Sequence, residues 1–334
     1  MRILVIGGTQ FIGKSFVEHA VARGHEVTLF NRGSKPAPAG VTDTITGDRN
    51  TDLGALAGRS WDAVVDTSAY VPRQVREAAR LLEGSVERYL FVSTISVYAD
   101  TSEPYVNEES ELARLHDPTT EEVTGATYGG LKVLCEEELA AVYPTERTLV
   151  VRPCIVVGPE DPTDRLTYWP TRVARGGAVL APHGPRYPLQ WIDARDLAAW
   201  MVAGLESDLS GTYNAASPAD RFDMGTLLEA SLTAAAEVGA PPAEIVWADA
   251  GFLLEREVRP FADLPFWLPE PESNLFRVDA SKAEAAGLTV RSALDTVRDT
   301  LAWQRERGDP ALKVGLEPER EREVLEAWRV SHTE

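Results

Sequence analysis

The fold is decided near the N-terminus, by the stretch Ile3-Leu4-Val5-Ile6-Gly7-Gly8-Thr9-Gln10-Phe11-Ile12-Gly13. Its first four residues are apolar and predict a short strand buried on both faces, which the glycines end. Residues 13–23 predict a helix, because apolar side chains recur at helical spacing and Gly24 follows as a C-cap. Residues 26–30 predict a second strand, so the segment forms a β-α-β unit with a right-handed crossover.

The alternation of strands and helices continues along the chain. Strands are predicted at residues 63–66, 89–93 and 148–152, and helices at residues 74–82 and 128–142. Residues 189–201 and 211–214 are predicted to return to the sheet. This order predicts an α/β fold with a Rossmann-type doubly wound parallel sheet.

The last third of the sequence has a different organisation. Helical periods mix with proline-rich connections, which predicts a smaller, discontinuous C-terminal substrate lobe. We assign residues 1–158 and 188–216 to the doubly wound domain. Residues 159–187 and 217–330 are assigned to the lobe.

The composition argues against several classes of function. The chain has 334 residues and a formal charge of −19, so its field repels phosphate backbones and we expect no nucleic-acid partner. No apolar run is long enough to cross a bilayer and the N-terminus lacks a signal-peptide pattern, so we expect a cytoplasmic protein with no membrane partner. The two cysteines and five histidines form no ligand pattern, and we expect neither a disulfide framework nor a metal site.

The glycine-rich turn after the first strand is typical of a phosphate-binding site. Gly7 and Gly13 let the backbone approach a pyrophosphate, whose charge the helix N-terminus favours. Gln10 stands where the usual motif has its middle glycine. The turn can therefore also be interpreted as one that needs glycine only to pack the helix onto the strand.

The end of the second strand indicates which dinucleotide would bind. NAD-binding proteins commonly have an acid there, which holds the ribose hydroxyls, but here the residues are Asn31 and Arg32. An arginine accommodates the 2′-phosphate of NADP, so we expect NADP, with NAD as the alternative. A surface arginine beside a turn asparagine is the other interpretation. After the third strand, Asp48 would accept a hydrogen bond from the adenine amino group.

A second group of residues is suited to proton transfer. Tyr128 and Lys132 are four residues apart and lie on one face of a helix. A tyrosine exchanges a proton at neutral pH only if nearby positive charge stabilises its phenolate, and Lys132 can provide that charge. Thr94 follows a strand that ends at Ser93, at the edge where open α/β sheets bind ligands, and can hydrogen-bond the reacting oxygen. Each motif alone can be structural, but their combination favours catalysis.

With these motifs in this order, the chain resembles the extended short-chain dehydrogenase/reductases, the NAD-dependent epimerase/dehydratase family, over nearly its whole length. The resemblance implies a Ser/Thr-Tyr-Lys triad of Thr94, Tyr128 and Lys132, and a homodimer. Together with the turn and the strand ends, it gives the expected cofactor contacts: Gly7, Thr9, Gln10, Phe11, Ile12, Gly13, Asn31, Arg32, Asp48, Arg49, Thr67, Ser68, Ala69, Ser93, Pro153, Cys154 and Ile155.

The expected activity is hydride transfer between NADP(H) and a hydroxyl or carbonyl carbon of a small polar molecule, with Tyr128 exchanging the proton. Epimerisation through transient oxidation shares this half-reaction, and the sequence leaves both open. Dehydration is disfavoured, because Ile95 and Ser96 occupy the places of the family's acidic pair. Leu189 stands where nucleotide-sugar enzymes often have an arginine.

A non-catalytic function is the alternative from another class. The Gly-Gly-Thr-x-Phe-Ile-Gly form of the turn also resembles a branch that contains chloroplast RNA-binding proteins. An RNA-binding protein would have a basic surface, and a protein that only senses NADP would not need the triad.

Contacts to the small-molecule substrate are expected from a set of polar and aromatic residues: Tyr98, Arg165, Trp169, His183 and Arg186. Arg165 and Trp169 can equally brace the lobe. His183 and Arg186 lie in a Pro/Gly-rich segment, for which a surface loop is the default interpretation.

Overall fold

A seven-stranded parallel sheet forms the centre of the molecule. The structure is a computed structural model that describes residues 1–332. The strands of all sheets in these residues are β1 (Arg2–Ile6), β2 (Glu26–Asn31), β3 (Asp43–Thr46), β4 (Trp61–Asp66), β5 (Val86–Val92), β6 (Thr148–Pro153), β7 (Ile155–Val157), β8 (Gly177–Pro182), β9 (Pro188–Leu189), β10 (Trp191–Asp193), β11 (Gly211–Ala215), β12 (Phe222–Asp223) and β13 (Ala243–Ala248). The central sheet has the order β11-β6-β5-β4-β1-β2-β3, and all of its pairings are parallel. The strand order reverses beside β1, which is where open α/β sheets bind ligands.

The helices connect these strands and cover both faces of the sheet. They are α1 (Phe11–Ala22), α2 (Pro72–Leu82), α3 (Tyr128–Ala140), α4 (Arg165–Ala174), α5 (Ala194–Glu206), α6 (Met224–Glu237), α7 (Ala250–Glu255), α8 (Ser281–Ala285), α9 (Ala293–Glu306) and α10 (Pro318–Ser331). Helices α1 and α5 pack together, as do α2 and α3. The predicted α/β fold with a doubly wound parallel sheet is confirmed, and the predicted helices are displaced by only a few residues at their ends.

The two faces of the sheet are built by alternation along each strand. In β1, Ile3 and Val5 pack into one apolar layer, while Leu4 and Ile6 pack into the other. Successive side chains of a strand point to opposite faces, so a strand that is apolar throughout must be covered on both sides. This explains why the first four residues of the deciding stretch are all apolar.

A separate apolar core lies in the C-terminal half. It is built around large, fully buried rings: Trp169, Trp191, Trp267, Phe266 and Phe276. Helices α4, α6 and α9 pack around it. Residues 278–288, which the sequence places in the lobe, instead contribute Val278, Ala280, Ala283 and Leu288 to the core of the sheet.

Residues 189–201 and 211–214 were both expected to return to the central sheet, but only the second segment contributes a strand to it. Strand β11 joins the central sheet beside β6, as predicted. Strand β10 instead pairs with β7 in a separate two-stranded sheet, and its Trp191 packs into the lobe core. Within residues 1–332, no helix has both the length and the apolar character that a membrane span requires.

A buried ion pair lies at the carboxyl end of β4. Both Nη atoms of Arg49 donate to the carboxylate of Asp66, at 2.7 and 2.9 Å, and the Tyr89 hydroxyl donates to the same carboxylate at 3.0 Å. Burial raises the pKa of Asp66, but the Arg49 charge and the hydrogen bonds outweigh it and hold the pKa below its ordinary value. The pair connects the loop after β3 to the end of β4.

Replacing Asp66 with asparagine should destabilise the fold by about 3–5 kcal/mol, because it leaves the buried Arg49 charge without a counter-charge. The same loss should appear in the wild type as the pH falls through the lowered pKa of Asp66, since protonation removes the carboxylate. Denaturant unfolding of both proteins measures the difference. Asp43→Asn is the control: its pair with Arg59 spans 2.9 Å between half-exposed side chains, so its loss should cost less than about 1 kcal/mol.

Candidate active site

The turn between β1 and α1 brings the backbone very close to the end of β4. Gly7 has a φ of +108°, and a Cβ there would lie 2.6 Å from Oγ1 of Thr67. Helix α1 then starts at Phe11, and the side chain of Gln10 does not cap it. The first N–H groups of the helix therefore have no side-chain partner, as suits an anion-binding turn.

The turn opens into a cavity of about 480 Å³. Most of the expected cofactor contacts line it, namely Gly7, Thr9, Gln10, Phe11, Ile12, Gly13, Asn31, Arg32, Asp48, Arg49, Thr67 and Ser68. The other lining residues are not among the expected contacts: Ile6, Gly8, Phe30, Ser34, Gly47, Asn50, Tyr70, Gln74 and Pro162. The groove thus runs over the carboxyl ends of β1, β2 and β4, across the point where the strand order reverses.

Arg32 is an unpaired cation on the rim of this cavity. It is exposed, and it makes no hydrogen bond or ion pair with any residue in 1–332. The neighbouring Asn31 uses Oδ1 to accept a hydrogen bond from the N–H of Gly33, at 2.8 Å. Asp48 is also engaged, because its Oδ1 accepts from both the backbone and the side chain of Asn50. The hydrogen bonds from Asn50 lower the pKa of Asp48 and the nearby Arg32 charge adds to this, so the free guanidinium and this carboxylate share the rim of the cavity.

Arg49 lines the cavity, as the expected cofactor contacts require, but its charge is paired within the protein. Its guanidinium is committed to Asp66, and it also donates to Oγ of Ser68 at 3.2 Å and to the carbonyl of Gln74 at 2.9 Å. The side chain therefore supports the floor of the cavity.

The start of α3 is held against the segment after β5. A Cβ on Gly129 would lie 2.0 Å from the carbonyl oxygen of Ser96, so only glycine permits this approach. The approach places Tyr128 near Thr94, whose hydroxyl donates to Ser96 Oγ at 3.2 Å and accepts from the Ser96 N–H. Two of the three expected triad residues are thereby brought together.

Lys132, the third triad residue, is buried one helical turn after Tyr128 in α3. Its Nζ donates to the carbonyls of Ala69 at 2.9 Å and Val92 at 2.7 Å, and lies 4.0 Å from the centre of the Phe91 ring. Burial lowers the pKa of Lys132 to about 8. Ala69, expected to contact the cofactor, is itself buried and serves as an anchor for this ammonium.

The expected lowering of the Tyr128 pKa by Lys132 is not found. Burial raises the pKa of Tyr128 to about 12, the nearby Tyr70 adds to this, and Thr94 opposes it through its hydrogen bond. The ammonium is directed to the two carbonyls instead of the phenol, which explains the difference.

A polar network lies under the strand ends and accounts for two more expected contacts. The Ser93 hydroxyl donates to Glu136 at 2.5 Å, and Arg152 binds the same carboxylate through two nitrogens. The Tyr98 hydroxyl donates to Asn214 Oδ1 at 2.6 Å and accepts from Arg152. Ser93 and Tyr98 are both buried, and their hydroxyls are engaged in this network. Their expected ligand contacts stay predictions.

The expected substrate residues of the lobe fall into two classes. Trp169 is fully buried and donates to the carbonyl of Pro265 at 3.1 Å, which favours the alternative that it braces the lobe. Arg165 is half-buried with its guanidinium 4.9 Å from the Phe261 ring centre, and His183 and Arg186 are exposed.

The residues after β6 lie outside the cavity. Pro153 ends β6 and pairs with β11, and Ile155 begins β7. The buried thiol of Cys154 is directed to the carbonyl of Ile155, at 3.7 Å. Their expected place beside a nicotinamide stays a prediction. Within residues 1–332, no cluster of His, Cys, Asp and Glu could hold a metal ion.

Similar proteins support the assignment of this fold. The epimerase family protein SDR39U1 of Bos taurus is 29% identical over 286 residues, which covers 77% of this chain and 88% of that protein. The crystal structure of human SDR39U1 (isoform 2) with NADPH has a TM-score of 0.59 at 21% identity, covering 90% of this chain and 99% of that one.

A shorter similarity is to a chloroplast protein of the kind that the glycine-rich turn resembles. The chloroplast stem-loop binding protein of 41 kDa b of Arabidopsis thaliana is 32% identical over 120 residues, which is 29% of this chain and 30% of that protein. The family model of the NAD dependent epimerase/dehydratase family matches residues 3–216, from the first strand to the last strand of the sheet. The chain therefore belongs to the NAD dependent epimerase/dehydratase family.

Proposed function

We propose that this protein is a reductase that transfers hydride from NADPH to a carbonyl carbon of a small polar molecule. The observation that carries the proposal is the placement of the Tyr128 phenol 6.4 Å, between ring centres, from Tyr70, which lines the dinucleotide cavity. Proton donor and cofactor groove thus share one edge of the sheet.

The cavity fits a dinucleotide with a 2′-phosphate. The glycine turn and the uncapped start of α1 suit the pyrophosphate. Arg32, unpaired on the rim, suits the additional phosphate of NADP, and no acid at the end of β2 would repel it. The binding of NADPH by human SDR39U1 is consistent with this choice.

The proton chemistry is suited to reduction. A bound nicotinamide supplies the hydride. Tyr128 is protonated at neutral pH, because burial raises its pKa, and can donate its proton to the oxygen of the carbonyl as that oxygen gains charge. Thr94 can orient and polarise the same oxygen through its hydroxyl. Epimerisation would begin with oxidation and would use the same phenol in the opposite direction, so it is the alternative that product stereochemistry distinguishes.

RNA binding is the weaker alternative. The chain shares only a third of its length with the chloroplast stem-loop binding protein. The formal charge of −19 opposes binding to a phosphate backbone.

Arg32→Ala should weaken NADPH binding by about tenfold or more and leave NADH binding nearly unchanged, because a hydrogen bond to a charged group contributes about 1.5–3 kcal/mol. Titration of nicotinamide fluorescence measures both dissociation constants. Arg59→Ala, which removes an exposed guanidinium paired with Asp43, is the matched control and should change neither. Equal losses for the two cofactors would contradict the role of Arg32.

Tyr128→Phe should reduce turnover of any carbonyl substrate by about 10²–10⁴-fold while NADPH binding is kept, since only the proton donor is lost. In the wild type, the rate of reduction should stay level through neutral pH, fall first as the pH rises through the lowered pKa of Lys132, about 8, because the buried ammonium then loses its charge, and fall again toward the raised pKa of Tyr128, about 12. A panel of aldehydes, ketones and sugar nucleotides, monitored at the nicotinamide absorbance, supplies the substrate. Full turnover by the phenylalanine variant would show that another group donates the proton.

Product stereochemistry, measured with the same panel of aldehydes, ketones and sugar nucleotides, distinguishes reduction from epimerisation. A reductase consumes one NADPH for each alcohol formed, whereas an epimerase inverts a centre with no net change in cofactor.

A further inference from the structure

Tyr70 occupies the space between the dinucleotide cavity and Tyr128. Its ring centre lies 6.4 Å from that of Tyr128, with the two planes tilted by 41°. It also lines the cavity, on the side of β4. One side chain therefore contacts both the groove and the surroundings of the proton donor.

The phenol of Tyr70 is open to a ligand. Half of the residue is exposed, and its hydroxyl makes no hydrogen bond with the part of the chain that the structure describes. Tyr105 is equally exposed, at 50%, but its hydroxyl donates to Asp220 at 2.9 Å. An exposed aromatic ring with a free donor is a common substrate contact, because one side chain offers both apolar area and a hydrogen bond.

The backbone of Tyr70 is fixed on both sides, so its position is defined. The carbonyl of the preceding Ala69 accepts a hydrogen bond from Lys132, and the N–H of Tyr70 donates to Oε1 of Gln74 at 2.9 Å. Helix α2 begins two residues later, at Pro72. Only the side-chain torsions of Tyr70 remain free to adjust to a ligand.

We propose that Tyr70 determines substrate specificity: its ring forms the wall of the site beside Tyr128, and its hydroxyl hydrogen-bonds a polar group next to the reacting carbon. The proposal rests on the proposed reductase function. It favours substrates that have a flat or apolar face, such as a ring, and an oxygen acceptor adjacent to the carbonyl.

The same side chain controls the exposure of Tyr128 to water. The groups that act on the Tyr128 phenol are Tyr70 from the loop after β4, Thr94 from the segment after β5, and Cys135 from α3. Burial raises the pKa of Tyr128 and Tyr70 adds to that effect. Removing the Tyr70 ring should therefore lower the pKa of Tyr128 toward its ordinary value of about 10.

The test compares Tyr70→Phe and Tyr70→Ala with wild type. We expect Tyr70→Phe to raise KM for a hydrogen-bonding substrate by about three- to tenfold with kcat within about twofold, since a neutral hydrogen bond is lost. Tyr70→Ala should raise KM further; because Tyr70 also lines the cofactor cavity, the NADPH dissociation constant should rise in this variant by a smaller factor than KM, and it should stay within about twofold in Tyr70→Phe. Tyr105→Phe and Tyr105→Ala are matched controls, which should leave both constants unchanged.

A second measurement does not depend on turnover. Tyrosinate absorbance is titrated between about pH 8 and 11, with each Tyr128 contribution isolated by subtracting the corresponding Tyr128→Phe protein. Tyr70→Ala should show ionisation of Tyr128 in this range, and wild type should not. If the wild type reduces no carbonyl compound, the proposed reductase function is wrong. The titration still measures whether the Tyr70 ring raises the pKa of Tyr128.

Two results would overturn the proposal. Unchanged KM and an unchanged Tyr128 titration in Tyr70→Ala would show that the ring neither contacts the substrate nor shields the phenol. A large rise in the NADPH dissociation constant with an unchanged KM would make Tyr70 a wall of the cofactor cavity only.

Discussion

The arrangement of the candidate site depends on one buried cation, the ammonium of Lys132. It is held by the carbonyl that ends β5, at Val92, and by the carbonyl of Ala69 after β4. A buried charge is costly unless hydrogen bonds satisfy it, so the ammonium and these two carbonyls fix one another. The position of α3 over the sheet follows from this contact, and with it the position of Tyr128 at the first residue of the helix.

A second constraint on the position of α3 comes from Gly129, which has no side chain. The carbonyl of Ser96 occupies the space that a Cβ would need, and this draws the start of α3 onto the segment that carries Thr94. The hydrogen bonds of Lys132 fix how closely α3 packs on the sheet, and Gly129 fixes the position of the first turn of this helix. Both constraints concern the backbone, so the phenol is positioned before any ligand binds.

The sequence predicted the sheet and the location of the site because these depend on patterns of local residues. Apolar strands, a glycine turn and the Tyr-x-x-x-Lys spacing are all visible over a few positions. It could not predict the partner of a long side chain. Arg49 lies next to a residue expected to bind adenine, but its guanidinium reaches Asp66, which is 17 positions away. Tyr70 was missed for the same reason, since nothing near it in the sequence indicates that its ring lies beside Tyr128.

The path of the chain between its two apolar cores limits how the molecule can move. Residues 192–216 and 278–288 pack on the sheet, and each lies between segments that pack in the lobe. A hinge between two bodies needs few connecting strands, and this chain crosses between them repeatedly. Rigid opening of a cleft is thereby disfavoured. The two cores are thus expected to keep their relative positions, and side chains such as the half-exposed Tyr70 are the parts of the site that can adjust to a bound molecule.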